Sequence, residues 1–454
     1  MDNLQLLLIL IVALPGAAFL GLALVWLLGW TPPERVVARI TATTSIVTTA
    51  AAAALAAAMV SRGTLSVRAP LGHWFTAGEY DFVLSLLVDR LSLPMVVLTT
   101  ALIGIVGAFS VRYLHRERGY FRFFLLLHLF TFGSLLAFTA GSFDLLIGGW
   151  ELVGITSVLL IAFFDDRREP VRNALRVFAT YRIADLGLLI GVFAMHYLAE
   201  TAAYQGLFTG EWPSQGTEAS TSAATIIGLL LLVAAAGKSA QMPFSGWLPR
   251  AMEGPTPSSA IFYGAISVHA GAYILLRAEP LFRASPAAAA AVVATGAATA
   301  ILATLTHRVV SDAKTSLAYA SMTQLGIIFV EIGLGFPMLA LAHMSGHTVV
   351  RTLQFLRAPS MLHDYHRMHA AAGGHLGRTG EHYHGIIPPG VRLWLYRAGL
   401  ERGFYDALVD RFATAPVLHL SRWLASLESS SHDSAAHPAP AAAPVTALAR
   451  KVEG

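Results

Sequence analysis

Apolar stretches of bilayer length recur along the first 357 residues of this chain, and they constrain its fold more than any other feature. About 20 consecutive apolar residues cross a hydrocarbon core as a helix. Such stretches fall at 4–30, 40–60, 91–111, 123–140, 145–164, 177–198, 223–248, 256–276, 286–306, 316–334 and 337–356. Backbone polar groups in lipid must be satisfied within each segment. The pattern therefore predicts an all-α polytopic membrane protein with eleven transmembrane helices. The first stretch is too long for a signal peptide and is expected to remain as a span.

Composition agrees: of 454 residues, 55% are hydrophobic and only 13% charged, against about 25% charged in soluble domains. The formal charge of +4 does not point to nucleic acid, because the arginines lie in short loops between apolar runs. One alternating set of loops carries Arg35, Arg39, Arg112, Arg116, Arg118, Arg122, Arg167, Arg168, Arg172, Arg176, Arg250, Arg308 and Lys314, and the opposite set is sparse. Positive residues favour the cytoplasmic side. The expected setting is a bacterial inner membrane, with the amino terminus outside and the carboxyl terminus in the cytoplasm. With no cysteine, the chain has no disulfide, thiolate metal site or Cys-ligated iron–sulfur cluster. No dinucleotide or phosphate-binding loop appears. The chain is not expected to be an enzyme, and no cofactor is expected in it.

Ionisable residues inside the apolar stretches are the candidate site. They are Glu151 in LLIGGWELVGITSVLLIAFF, Arg182 and Asp185 in VFATYRIADLGLLIGVF, Lys238 in LLLLVAAAGKSAQMPF, His269 and Glu331 in the eighth and tenth spans, and His343, His347 and Arg351 in LALAHMSGHTVVRTLQFL. A charge at bilayer depth costs roughly 2.5 to 3.5 kcal/mol on insertion scales, so several in one chain point to an ion pathway. His343, His347 and Arg351 are spaced by four and share one helix face. Imidazole titrates near neutrality and can relay a proton, whereas arginine stays protonated. Arg182 and Asp185, three apart, either pair with each other or carry charge. Lys314, at a span entrance, reads equally as a snorkelling side chain.

Beyond residue 357 the character changes. Residues 358–390 read as a cytoplasmic linker rich in His and Gly, 391–427 as an amphipathic helix lying on the membrane surface or on a partner, and 428–454 as a disordered Ala/Pro/Ser tail. His363, His366, His369, His375, His382 and His384 invite a metal reading. The glycines among them and the missing HExxH signature favour interface or proton-buffering roles, so no metal site is expected.

The stretch from about 85 to 357 resembles the proton-conducting antiporter family of large complex I membrane subunits and Mrp cation antiporters. The strings that carry the resemblance are VDRLSLPMVVLTTAL, GGWELVGITSVLLIAFF, YRIADLGLLIG, GKSAQMPFSGWLPRAMEGPTPSSA, DAKTSLAYASMTQLGIIF and LAHMSGHTVVRTLQFL. The resemblance implies a seventh span broken at Pro243, Lys238 just before the break, and Glu151 as the partner of Lys238. It also implies a proton path continuing through His343 and His347, with Arg351 where the family has lysine. Tyr263 stands where the family has a histidine, His269 follows six residues later, Glu331 is an additional acid, and the family's second five-helix repeat is cut short.

Those departures, with FLRAPSMLHDYHRMHAAAGGHL after the eleventh span, look like the short antiporter-type subunit of the DAB dissolved inorganic carbon accumulation complex. That resemblance implies a large cytoplasmic partner similar to a zinc β-carbonic anhydrase, with the zinc in the partner. An H+ or Na+ gradient through this chain would then drive CO2 hydration and bicarbonate accumulation. On this reading Lys238, His269, Glu331, His343 and His347 form a route toward the partner. Two alternatives stand beside it: a proton-pumping subunit of an NADH-quinone oxidoreductase or Mrp-type antiporter, and a membrane anchor that conducts nothing.

Overall fold

The computed structural model describes residues 2–77, 80–360, 387–404, 411, 415–416 and 419–424. Eleven helices follow the expected spans closely. They are α1 (Asn3–Leu27), α2 (Glu34–Arg62), α3 (Ser92–Tyr113), α4 (Tyr120–Thr139), α5 (Phe143–Ile161), α6 (Arg168–Ala199), α7 (Thr221–Lys238), α8 (His269–Arg277, the second half of a broken span), α9 (Pro286–His307), α10 (Ala313–Gly333) and α11 (Pro337–Arg357). Ten spans among the described residues are long and apolar enough to cross a membrane, Thr256–Arg277 counting as one. Predicted as an eleventh, α11 has the length, but its histidines and arginine lower its hydropathy. His347, Thr348, Arg351 and Thr352 turn inward and are buried.

Local chemistry sets the helix starts. Asp2 and Gln5 form a reciprocal capping box on α1. Ser142, Ser220, Ser285 and Asp312 accept from backbone N–H groups in the first turns of α5, α7, α9 and α10. Gly63, at φ 63°, ends α2 in the left-handed conformation that glycine adopts without strain.

The connections sort onto two faces. On one lies a long antiparallel hairpin that the sequence reading missed, β1 (Val67–Ala77) with β2 (Tyr80–Val88). It is stitched to the α4–α5 turn by Gly141 N–H donating to Ser85 O at 2.9 Å, and that turn bridges Ser142 to Ala203 in the next loop of the same face. This is called the hairpin face. The opposite face carries Glu34 with His115 at 2.7 Å and Arg122 with Asp165 at 2.7 Å.

Where α9 crosses α10, two glycines face each other. A Cβ on Gly296 would lie 2.4 Å from Gly326 O, and one on Gly326 would lie 2.5 Å from Gly296 O. Small residues let backbones in membranes approach this closely. Replacing Gly326 with valine should lower the thermal stability of the detergent-purified protein by about 1 to 3 kcal/mol, the usual cost of overpacking. An unchanged midpoint would show that the two helices can part freely.

Two compact units are present, Met1–Leu400 and Glu401–Gly454. Of the helix expected over 391–427, the described residues hold α12 (Pro389–Leu400), which ends at Leu400, while 405–410, 412–414, 417–418 and 425–427 lie outside the described residues. Arg402, Gly403 and Phe404 all take positive φ (50°, 69° and 59°), a conformation that interrupts a helix. Within the first unit, Gly399 of α12 packs on Leu305 O and Val309 at the end of α9. The second unit, among its described residues, has the turn Arg402–Phe404 and helical residues at 415–416 and 419–424. Of the histidine linker expected over 358–390, residues 361–386 lie outside the described residues, as does the tail at 428–454.

Candidate ion-translocation site

The seventh span breaks where the sequence placed the break. After Lys238 the helix stops, residues 239–246 run as a turn, and a short helix Trp247–Arg250 follows. The freed carbonyls find partners: Gln241 N–H donates to Ala236 O at 2.8 Å and Trp247 Nε1–H to Gly237 O at 2.8 Å. Irregular backbone at membrane depth survives when packed this way. Lys314 secures the next turn, its Nζ donating to Met252 O and Gly254 O, both at 2.8 Å. Its side chain thus reaches the broken segment rather than snorkelling.

Lys238 is fully enclosed, at 1% exposure. Its Nζ donates to Trp150 O at 3.2 Å, lies 4.5 Å from the Tyr181 ring centre and 4.6 Å from the Trp150 ring centre, and sits 4.0 Å from Asp185 Oδ1. Two aromatic faces and one carboxylate form a cation cage. Asp185 is therefore the carboxylate in ion-pair range of Lys238, and Glu151, the partner the family resemblance implied, is linked to it through Arg182. Glu151 accepts from Arg182 at 2.5 Å, and the same guanidinium nitrogen donates to Asp185 Oδ2 at 2.7 Å. The four charges form a row, Glu151–Arg182–Asp185–Lys238. It runs from a side chain 32% exposed to one that is enclosed. Trp150 Nε1–H completes the shell of Asp185 at 2.6 Å.

Close backbone contact holds this row together. A Cβ on Gly237 would stand 2.0 Å from Ala184 Cβ, so α6 and α7 touch beside Asp185 and Lys238. Gly237→Val should separate the helices, pull Lys238 off Asp185, and cost about 1 to 3 kcal/mol through overpacking. Thermal unfolding in detergent reads that loss, and an unperturbed protein would mean the contact can relax elsewhere.

A second polar group follows across the broken eighth span. Thr256–Ser259 is helical, Ala260–Ala265 forms a π-turn, and α8 restarts at His269. His269 Nε2 lies 2.9 Å from His347 Nδ1, both rings buried. Arg351 Nε–H donates to His347 Nε2 at 3.4 Å. Because arginine can only donate, Nε2 of His347 must accept. The neutral ring then carries its proton on Nδ1 and donates to His269, so the chain of donors runs Arg351 to His347 to His269. Between this group and Lys238 lie Ser157 and Ser267, their hydroxyls 3.4 Å apart, the Tyr181 hydroxyl beside these two serines, and the buried hydroxyl of Tyr263, which has no hydrogen-bond partner among the described residues. Buried hydroxyls of this kind are normally satisfied by water.

The third group joins Glu331 and His343. His343 Nδ1 is 2.9 Å from Glu331 Oε1, and Nε2 is 3.0 Å from Gln324 Oε1. Gln324, Trp150 and Tyr181 escaped the sequence reading. The last two each directly precede a flagged charge, Glu151 and Arg182, and that adjacency was the available signal.

Comparison with known proteins places the chain. The family described as NADH:quinone oxidoreductase/Mrp antiporter, TM matches residues 140–374, and that described as NADH-Ubiquinone oxidoreductase (complex I), chain 5 N-terminus matches 74–124. The chain belongs to the NADH:quinone oxidoreductase/Mrp antiporter family. Among relatives of this antiporter family, NADH-ubiquinone oxidoreductase chain 5 of Allomyces macrogynus is 36% identical over 280 residues, 61% of this chain and 43% of that protein. NADH-quinone oxidoreductase subunit L of Neisseria meningitidis is 35% identical over 301 residues, 64% of this chain and 45% of that protein. The chain thus spans less than half the length of these curated relatives. Among solved structures, the Mrp complex from Dietzia sp. DQ12-45-1b aligns with a TM-score of 0.63 at 27% identity, covering 76% of this chain and 37% of that one. The membrane-bound sulfane sulfur reductase, an archaeal respiratory membrane complex, shares the fold with a TM-score of 0.63 at 18% identity, over 78% of this chain and 70% of that one. As an antiporter-family member, the chain is a multi-pass membrane protein.

Proposed function

We propose that this chain is a proton-translocating, antiporter-like subunit of a larger membrane assembly and catalyses no bond-making chemistry itself. The observation that carries the reading is the enclosed Lys238, caged by Trp150, Tyr181 and Asp185 and followed by the His269–His347 pair. A lysine with a single nearby carboxylate changes its affinity for a proton when their separation changes. The break after Lys238 lets that separation change without unwinding a continuous helix. Relatives named for NADH dehydrogenase and Mrp complexes support the same class of activity.

The test is ion flux through the chain with its copurifying partners in sealed vesicles. Asp185→Asn keeps the hydrogen-bonding shape and removes the charge facing Lys238. It should reduce flux at least as severely as Glu151→Gln, by roughly a hundredfold, the low end of what a positioned proton-transfer group contributes. Full flux in Asp185→Asn would remove the carboxylate–lysine switch.

A finer reading makes the assembly an inorganic carbon accumulator, with a zinc carbonic-anhydrase-like partner in the cytoplasm and the carboxyl terminus on that side. Its support is the resemblance of the sequence after α11 and the departures at Tyr263, His269 and Glu331, whereas the relatives favour the NADH dehydrogenase or Mrp reading. Mass identification of copurifying proteins separates the two, since a zinc hydratase and a set of redox or Mrp subunits share nothing.

A further inference from the structure

Lys238, Asp185 and the His269–His347 pair account for an ion held in the middle of the bundle, and leave open how it reaches water on the hairpin face. Helix geometry supplies depth. Glu331 lies two residues before the end of α10, about 3 Å from its hairpin-face terminus at 1.5 Å per residue, and His343 lies six residues into α11, about 9 Å from the same face. His347 is one turn deeper on the same helix face, about 6 Å beyond His343, a gap one water can bridge.

The cluster is built from both helices. Gln324 and Glu331 are seven apart on one face of α10, and His343 from α11 sits between them, at 3.0 Å and 2.9 Å. The Glu331 side chain is 15% exposed and that of His343 is 23% exposed, so the group is neither sealed nor open. Glu331 Oε2 is buried with no hydrogen-bond partner among the described residues. A carboxylate in a spanning helix is costly, and one oxygen without a protein partner is more than helix packing requires. An imidazole between two oxygens suits a proton, whereas Ca2+-like or other hard cations select oxygen ligands alone.

We propose that Gln324, His343 and Glu331 form the site at which the translocated proton passes between water on the hairpin face and the buried His347–His269 pair. The proposal rests on the proton-translocating reading above and names its outlet. In the inward direction a hydronium protonates Glu331 and leaves as water. The carboxyl then transfers that proton to His343 Nδ1 and returns to carboxylate. The imidazolium, its Nε2–H held by Gln324 Oε1, pivots Nδ1–H from Glu331 to a water on the side of His347, gives that proton to the water, and is neutral again with its remaining proton on Nε2. Gln324 is a positioning residue, because it selects the tautomer that leaves Nδ1 free to receive.

The experiment uses the full chain with its partners in sealed membrane vesicles. The chain has no cysteine, so Glu331→Cys introduces its sole thiol, and Trp74→Cys, on the exposed part of the hairpin, reports which side the hairpin occupies. A membrane-impermeant maleimide is expected to label both from the same side, and to leave His347→Cys unlabelled from either. In flux measurements Glu331→Gln should lose roughly a hundredfold, within the range for a positioned proton-transfer group, and Glu331→Asp should restore most of it. Labelling of Glu331→Cys from the opposite side or from neither, or undiminished flux in Glu331→Gln while Lys238→Ala is inactive, overturns the outlet alone. Undiminished flux in Lys238→Ala overturns the translocating reading itself.

Discussion

Replacing Lys238 with alanine is expected to reduce ion flux to background while the chain still folds, inserts and binds its partners. The structure explains why the two effects separate. Removing the lysine takes away the caged cation but strands no carboxylate, because Asp185 keeps its bonds from Arg182 at 2.7 Å and Trp150 at 2.6 Å. Breaking a buried pair is severe when it leaves an uncompensated charge, typically about 3 to 5 kcal/mol. Here Arg182 still bonds Asp185, and the one negative charge left over in the row can fall to Glu151, whose side chain is 32% exposed, so the loss of flux should come with only a modest loss of stability. Copurification yield and thermal midpoint check assembly, and vesicle flux checks function. A well-assembled variant that still carries ions would reduce the cage to a packing device.

Asp89→Ala should do the reverse and unfold the protein where Lys238→Ala does not. Asp89 and Arg277 are both buried, at 3% exposure, and join the start of α3 to the end of α8. Arg277 contacts both carboxylate oxygens, and Asp89 Oδ1 also accepts from Leu91 N at 3.1 Å and Ser92 N at 3.0 Å, capping α3. Alanine strands the guanidinium and removes the cap, for an expected loss of about 3 to 5 kcal/mol from the charge and about 1 from the cap. Asp89→Asn keeps the cap acceptor and should recover only the smaller part.

The same pair gives a pH signature. Burial alone would raise the Asp89 carboxyl, but the charge and hydrogen bonds of Arg277 outweigh it and hold the group below the usual carboxylate value. A carboxyl held lower in the folded state contributes its full stability above its unfolded value of about 3.9 and loses it as pH falls through the lowered folded value. The wild-type chain should therefore keep this contribution at neutral and mildly acidic pH. The difference in thermal midpoint between wild type and Asp89→Asn should shrink only in strong acid, and a difference that shrank between pH 7 and 5 would contradict that order.

Hydrophobic runs made the spans legible, because a helix in lipid is specified by length and apolarity with little help from partners. The break after Lys238 came from the family resemblance, which implied it at Pro243; the apolar stretch 223–248 by itself read as one span. The hairpin at 67–88 was not legible: VRAPLGHWF lacks clean alternation, and its pairing partner lies beyond a turn with no Asn-Gly signal. Within the site, the residue types at depth could be found from sequence but their pairing could not. Arg182 and Asp185 are neighbours on α6 whichever way the bundle packs, whereas the choice between Glu151 and Asp185 as the carboxylate of Lys238 depends on how α5, α6 and α7 rotate against one another. The near contact of Gly237 with Ala184 fixes that rotation, and a lone glycine in LLVAAAGKS carries no sign of which helix it will meet.

The facing glycines of α9 and α10 bear on how force can travel. Where the backbones touch, at Gly296 and Gly326, no side chain stands between them to slide or repack, and the Thr304–Thr323 hydroxyl contact at 3.2 Å ties the two helices a second time, so the pair forms one plank. Lys314 grips the broken segment near one end of that plank, and Glu331 meets His343 near the other, about 25 Å away at 1.5 Å per residue. A displacement of the turn at 251–254 would then reach the far rim of the bundle as a shift of the whole beam.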